Sequence, residues 1–271
     1  MGNERMRKGI APWLATAAAL LFLLPVRMSG QVGVPGLSPS GGREEEARAH
    51  APVAPKAAAP EDLTGYWVDL VTEDWRFQMI TPAKGDYESV PLNAEGIKIA
   101  GAWDPAKDEA SGNQCKAYGA AAIMRVPGRL HITWENDTTL RIDTDAGTQT
   151  RLLHFGGQPP AAGQPQWQGY SVADWQLMGE GREGPPRGGY LKVETTHMRP
   201  GYLRKNGVPY GPGTVLTEYF TRVIESNGDS YLFVTSVVND PQYLSGPFIT
   251  STHFKKLPGA SGWRPTPCKA R

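Results

Sequence analysis

Cysteine, histidine and net charge are all scarce in this sequence. The 271-residue chain has two cysteines, five histidines and a formal net charge of +1. Two thiols without a C-x-x-C pair exclude the zinc and redox sites that need neighbouring cysteines. A near-balanced charge removes the basic face by which proteins hold nucleic acid or anionic lipid, so no nucleic-acid partner is expected. The serine-hydrolase elbow is missing as well, because Ser171 sits in G-Y-S-V-A, without the second glycine and within a strand pattern. Glycines at 156–157 and 179–189 fall in Pro/Gln-rich stretches with no helix to follow, which excludes a phosphate-cradling loop. The apolar stretch from Ile10 to Val26 is interrupted by Pro12, Thr16 and Pro25 and followed by Arg27. It falls short of the ~20 apolar residues that a membrane-spanning helix needs.

The N-terminus instead has the three-part form of a secretory leader, with Arg5, Arg7 and Lys8 ahead of the apolar centre Ala17 to Leu24. Small residues Ser29 and Gly30 place cleavage before Gln31, giving a signal peptide over residues 1–30. An uncleaved N-terminal anchor is the alternative. No cysteine follows the apolar core, which excludes a lipoprotein anchor. Export to the periplasm or the cell exterior is therefore expected, with no membrane contact beyond the leader or anchor. The leader takes Arg5, Arg7, Lys8 and Arg27 against Glu4, so the remainder carries a net charge of −2. Residues 31–60, rich in Pro, Gly and Ala around Arg43-Glu44-Glu45-Glu46, read as a disordered linker that cannot bury enough apolar surface to fold. Residues 61–271 are then one β-rich domain. Cys115 and Cys268 both lie in the exported part, where an even, minimal pair reads as one disulfide. Two free thiols or a metal pair are the competing readings.

Strand signals dominate from Leu63. Leu130, Ile132 and Trp134 alternate with His131, Thr133 and Glu135, and further strand patterns recur at 140–143, 150–155, 169–175, 190–196, 215–224, 231–238 and 248–255. With Leu63–Leu70, about nine strands are predicted. One helix is expected over 91–103, capped by Asn93 and ended by Asp104-Pro105, with Ile97, Ala100 and Trp103 on one face. An all-β, antiparallel up-and-down barrel with this single short helix is the predicted fold, and a β-sandwich the alternative. The triplet Gly65-Tyr66-Trp67 resembles the G-x-W start of lipocalin barrels, where a basic residue of the last strand covers the tryptophan. That resemblance assigns the covering role to Lys255 or Lys256. Four longer blocks occur in order: Gly169-Tyr170-Ser171-Val172-Ala173-Asp174-Trp175, Leu191-Lys192-Val193-Glu194-Thr195, Thr217-Glu218-Tyr219-Phe220-Thr221-Arg222, and Asp240-Pro241-Gln242-Tyr243 leading to Pro247. Together these resemble blocks in a group of exported, uncharacterised bacterial proteins. The resemblance spans roughly residues 63–256, implies a single exported domain and transfers no catalytic residue.

Candidate chemistry gathers in Thr195–Tyr210, where His197 would serve as general acid or base, Tyr202 as proton donor and Arg199 as a carboxylate or enolate partner. The bland reading of this stretch is a hairpin turning at Asn206-Gly207. Trp67, Trp75, Arg76, His154 and Tyr210 are the candidate ligand-binding residues, with Asp74 paired to Arg76. No cofactor is expected. A metal would require His131, His154, His197 and His253 to point into one interior, and parity places His131 opposite Leu130 and Ile132 but His197 with Leu191 and Val193. Glu218, mid-strand, faces outward or pairs internally with Arg222. Three functions follow: a barrel binding a small, partly apolar molecule, a lyase, isomerase or hydrolase built on the His-Tyr-Arg group, and an envelope-associated interaction module.

Overall fold

The computed structural model describes residues 53–72, 74–159, 164–179 and 188–271. The leader, the linker up to residue 52, His50 and the centre of the 179–189 loop lie outside the described residues. Chain order runs β1 (Gly65–Leu70), α1 (Trp75–Met79), α2 (Ala94–Gly101), α3 (Pro105–Ala110), a 3₁₀ turn (Lys116–Tyr118) and α4 (Ala120–Ile123). The hairpin series follows with β2 (Arg129–Asn136), β3 (Thr139–Thr144), β4 (Ala146–Gly147), β5 (Gln149–Phe155), β6 (Tyr170–Leu177) and β7 (Gly189–Thr196). After it come β8 (Gly201–Arg204), β9 (Val208–Tyr210), β10 (Val215–Ile224), β11 (Ser230–Asn239), β12 (Phe248–Leu257) and β13 (Thr266–Pro267).

Nine strands close a barrel in the order β1-β12-β11-β10-β7-β6-β5-β3-β2, and β2 pairs back onto β1. These are the nine strands that alternation marks in the sequence, and closure excludes the sandwich. The strictly antiparallel order needs correcting. A closed ring with an odd number of strands cannot alternate direction throughout, so one neighbouring pair must run parallel. That pair is β5–β6, with Leu153 opposite Ser171 and Phe155 opposite Ala173. A parallel pair cannot be joined by a tight turn, and the described residues 156–159 and 164–169 belong to the longer return.

The single expected helix is present as α2, with the Asn93 side chain accepting from Gly96 N at 2.9 Å. Ala100 and Trp103 are buried, whereas Ile97 is exposed. Three further short helices are too brief for periodicity to reveal. Asp104-Pro105 ends α2 as expected and also begins α3, because Asp104 caps Ala106 N at 3.1 Å and Pro105 occupies the first helical position.

Alternation drives Trp67, Ile132, Ile142, Leu153, Leu191, Val193, Phe220, Leu232, Val234 and Phe254 into one apolar interior cluster. Lys256 Nζ lies 5.4 Å from the Trp67 ring, the cover that the G-x-W triplet implies. At one end of the barrel a second cluster joins Ala120 and Ala121 of α4 and Leu203, Val208 and Tyr210 of the β8–β9 hairpin to Met198, Leu216, Val238 and Phe248. At the other end Trp134, Phe155 and Trp175 line up with ring centroids 5.5 Å apart. Residues 53–60, expected in the linker, lie against that end. Trp175 Nε1 donates to Pro55 O at 2.9 Å, and Lys56 N donates to Asp137 O at 3.1 Å. Arg222 N donates to Glu61 Oε2 at 3.0 Å, and its guanidinium to Asp62 O at 2.8 Å. The folded unit therefore includes residues 53–60.

Cys115 and Cys268 form a disulfide. The tail that it anchors also pairs in parallel with β4, Thr266 opposite Ala146.

Candidate functional site

The return between the parallel strands builds a cleft on the outer wall. Thr150, Leu152 and His154 project outward from β5, and Gln164, Gln166, Gln168, Gly169, Tyr170 and His197 complete a cavity of about 360 Å³. Gln166 and Met198 form a bridge, and Arg199 N donates to Gln166 O at 2.8 Å, so backbone bonds hold the return against the end of β7. Gln168 Nε2 donates to Tyr118 O at 2.7 Å and to Gln149 Oε1 at 3.1 Å. The His154 ring stacks on Tyr170 at 4.8 Å, and burial lowers its pKa, which favours the neutral imidazole.

His197 reaches this cleft from an unexpected side. Strand parity places it with Leu191 and Val193, but its φ is 56°, so the chain leaves the strand and the imidazole lies exposed, with Nδ1 2.9 Å from Thr196 Oγ1. His154 and His197 are thus brought to one cavity. His131 stacks on Tyr66 at 4.0 Å, and His253 meets the Phe233 ring at 4.7 Å. Among the described residues no three His, Cys, Asp or Glu side chains gather in a group able to hold a metal.

The other candidates are committed elsewhere. Tyr202 Oη donates to Asp108 Oδ2 at 2.8 Å and lies 3.3 Å from Lys116 Nζ, which itself donates to Asp108 at 2.6 Å. Burial, with Asp108 beside it, raises the Tyr202 pKa and opposes its release of a proton. Arg199 lies over the Trp167 ring at 4.3 Å and donates to Asn113 Oδ1 at 2.8 Å. His197, Tyr202 and Arg199 therefore have three separate sets of partners, and only Tyr202 lies in the β8–β9 hairpin that turns at Asn206-Gly207. Trp67 is fully buried core and Tyr210 is 1% exposed, so neither presents a ligand surface. Arg76 is held by Asp86 at 2.5 Å and Glu88 at 3.0 Å, whereas Asp74 pairs with Arg125 at 3.1 Å. The expected Asp74–Arg76 pair is not formed. Trp75, 60% exposed, borders a broad shallow surface with Val68, Asp69, Val71 and Met79.

The internal ion pair expected of Glu218 is formed, with a different arginine. Glu218 and Arg151 are both fully buried, and the guanidinium grips the carboxylate through two bonds of 3.0 and 2.5 Å. Arg151 also contacts Thr195 Oγ1, which hydrogen-bonds Ser171 Oγ at 2.8 Å. The expected partner, Arg222, instead bonds Ser230 and Asp62. Inward parity with Leu216 and Phe220 was the signal for Glu218, but no local pattern points to Arg151.

Sequence reasoning missed Asp69, whose pKa burial raises to about 7. Its Oδ2 is buried without a partner among the described residues. The folded pKa lies above the unfolded value of ~3.9, so the unfolded chain ionises first and stability is lost as pH rises from ~4 through 7. Asp69→Asn is expected to leave stability nearly unchanged at pH 4. At pH 8 it is expected to raise stability by up to about 4 kcal/mol, at ~1.4 kcal/mol for each of the ~3 pH units between the two pKa values. Urea denaturation of both proteins at the two pH values checks this, and an equal effect at both would refute it.

Comparison with protein-family models, curated proteins and solved structures found no match for the chain.

Proposed function

We propose that the protein is an exported small-molecule-binding β-barrel that holds its ligand on the outer wall, in the cleft at the β5–β6 seam. The observation that carries this reading is the convergence of His154, His197, Tyr170 and three glutamines on one cavity of about 360 Å³. That volume lies within the ~300–1,000 Å³ usual for small-molecule sites. The lining offers amides, imidazoles and hydroxyls, with Leu152 as its apolar member and no Asp, Glu, Lys or Arg. Such a set fits a neutral molecule with several hydrogen-bonding groups and one apolar face, of which a sugar ring is the simplest. Its C–H face would lie on the His154–Tyr170 pair while the Gln164 and Gln166 amides both donate and accept.

The Cys115–Cys268 disulfide supports an oxidising compartment and, with the leader, export. The catalytic alternative loses support because His197, Tyr202 and Arg199 are engaged separately. The interaction-module reading has no specific observation in its favour.

Titration calorimetry with a panel of mono- and disaccharides tests the proposal. Binding is expected in the wild type and in Tyr202→Phe. His154→Ala is expected to weaken it about tenfold, equivalent to ~1.4 kcal/mol. Absence of binding across the panel, or equal affinity in His154→Ala, would reject the reading.

A further inference from the structure

A separate place in the fold holds two buried arginines whose guanidinium nitrogens are only partly partnered among the described residues. A small cavity of about 30 Å³ lies beside α1, lined by Phe77, Ile80, Val126 and Leu203 together with Arg125 and Arg204. The two arginines are only 8% and 4% exposed. Their guanidinium carbons lie 5.3 and 5.8 Å from the same Phe248 ring, and that of Arg204 lies 4.0 Å from Phe77.

Each arginine is only partly satisfied. Arg125 Nη2 donates to Asp74, but its Nη1 is buried with no partner among the described residues. Arg204 Nη1 donates to Glu88 O at 2.6 Å, while both Nε and Nη2 are left without one. Nε and Nη2 form one edge of the guanidinium, the side-on pair of parallel donors that matches the two oxygens of a carboxylate. The surrounding charges do not fill the gap. Asp86 and Glu88 are engaged by Arg76, and Asp74 by Arg125. Burial first, then the neighbouring Arg125, push the Arg204 pKa down to about 10, as expected of a cation lacking an anion.

We propose that Arg125 and Arg204 form a binding site for the carboxylate of a small organic acid. The cavity has room for about two water-sized groups, which suits a planar carboxylate head. The head fills that volume, and the apolar lining of Phe77, Ile80 and Val126 leaves room for little more than a methyl group. This site is independent of the cleft at His154.

Thermal unfolding of the full folded protein at constant ionic strength tests the proposal, with sodium acetate, hexanoate, inorganic phosphate or chloride added. Acetate is expected to raise the Tm saturably, and hexanoate, whose tail exceeds the cavity, to do so only at higher concentration, since a ligand bound only by the native state stabilises it. Chloride is expected to have no saturable effect. Arg204→Met is expected to abolish the carboxylate shift without lowering the Tm of the free protein, because it removes a buried, unpaired charge. Arg204→Lys, which keeps the charge but loses the paired edge, is expected to weaken the response at least tenfold and serves if the methionine variant fails to fold. No saturable carboxylate effect, an equal effect from chloride, a response to phosphate alone, or an undiminished response in Arg204→Lys would each overturn the proposal.

Discussion

Glu218→Ala is expected to destabilise the barrel by about 3–5 kcal/mol, a loss large enough to unfold a domain of ordinary stability. Glu218 and Arg151 are completely buried and bound to each other through both terminal guanidinium nitrogens. Removing the carboxylate leaves the arginine charged in an apolar interior, among Leu153, Val193 and Phe220. Thr195 Oγ1, 3.4 Å from the guanidinium, is a poor substitute. The penalty is for the stranded charge rather than a measure of the pair's net value. The double variant Arg151→Met/Glu218→Leu is therefore expected to recover most of the loss, since apolar replacements of a buried pair are often neutral or stabilising by ~1–4 kcal/mol. Urea denaturation of the wild type, Arg151→Met, Glu218→Leu and the double variant measures the cycle, with Glu218→Ala alongside for the loss. A double variant as unstable as Glu218→Ala would show that the pair itself, not the isolated charge, sustains the interior.

The disulfide should produce the next largest effect. Cys115 and Cys268 are 153 residues apart, and a cross-link closing so long a loop restricts the unfolded chain strongly. The chain-entropy account gives ~4–5 kcal/mol as an upper figure, and loss of native bridges from small secreted domains typically costs about 2–5 kcal/mol. Cys115→Ser/Cys268→Ser is expected to fall within that range in urea denaturation, and the wild type in reductant is expected to match it. The other anchors of the tail are individually modest and include the two-residue pairing of β13 with β4, Trp263 edge-on to Tyr66 and His131, Thr148 Oγ1 to Thr266 O at 3.0 Å, Thr266 N to Asp145 O at 2.8 Å, and Ala270 N to Glu109 Oε1 at 2.8 Å. Proteolysis should therefore remove the tail of the double variant first, while the barrel remains protected. Unchanged stability and an uncut tail would show that these contacts suffice without the bridge.

Much of the wall was legible because its signal is local. Leu130, Ile132 and Trp134 alternate with polar neighbours, and the same period of two recurs in each of the nine barrel strands. The Asn93 cap and the Asp104-Pro105 stop were readable for the same reason, since capping depends on a few adjacent residues. The site was less so. His197 was assigned to the inner face by counting residues along the strand, and one left-handed residue, at φ 56°, cancels that count. Trp67 and Tyr210 look like ligand contacts in sequence, because an aromatic side chain fits a core and a pocket equally well; burial decides for the core. Residues 53–60 look like linker by composition, yet Pro55 O meets the indole of Trp175 from a strand over a hundred residues later.

By itself, then, the sequence determined which segments extend, which face of each is apolar, and which two thiols were available to pair. These depend on backbone stereochemistry and on side chains within a few residues of one another. Only the tertiary structure decided what meets across the barrel: Arg151 with Glu218, Arg125 beside Arg204, and His154 with His197. Those meetings depend on strand order and closure. Nine strands in a closed ring require one parallel seam, the seam requires a long return, and that return makes the cleft.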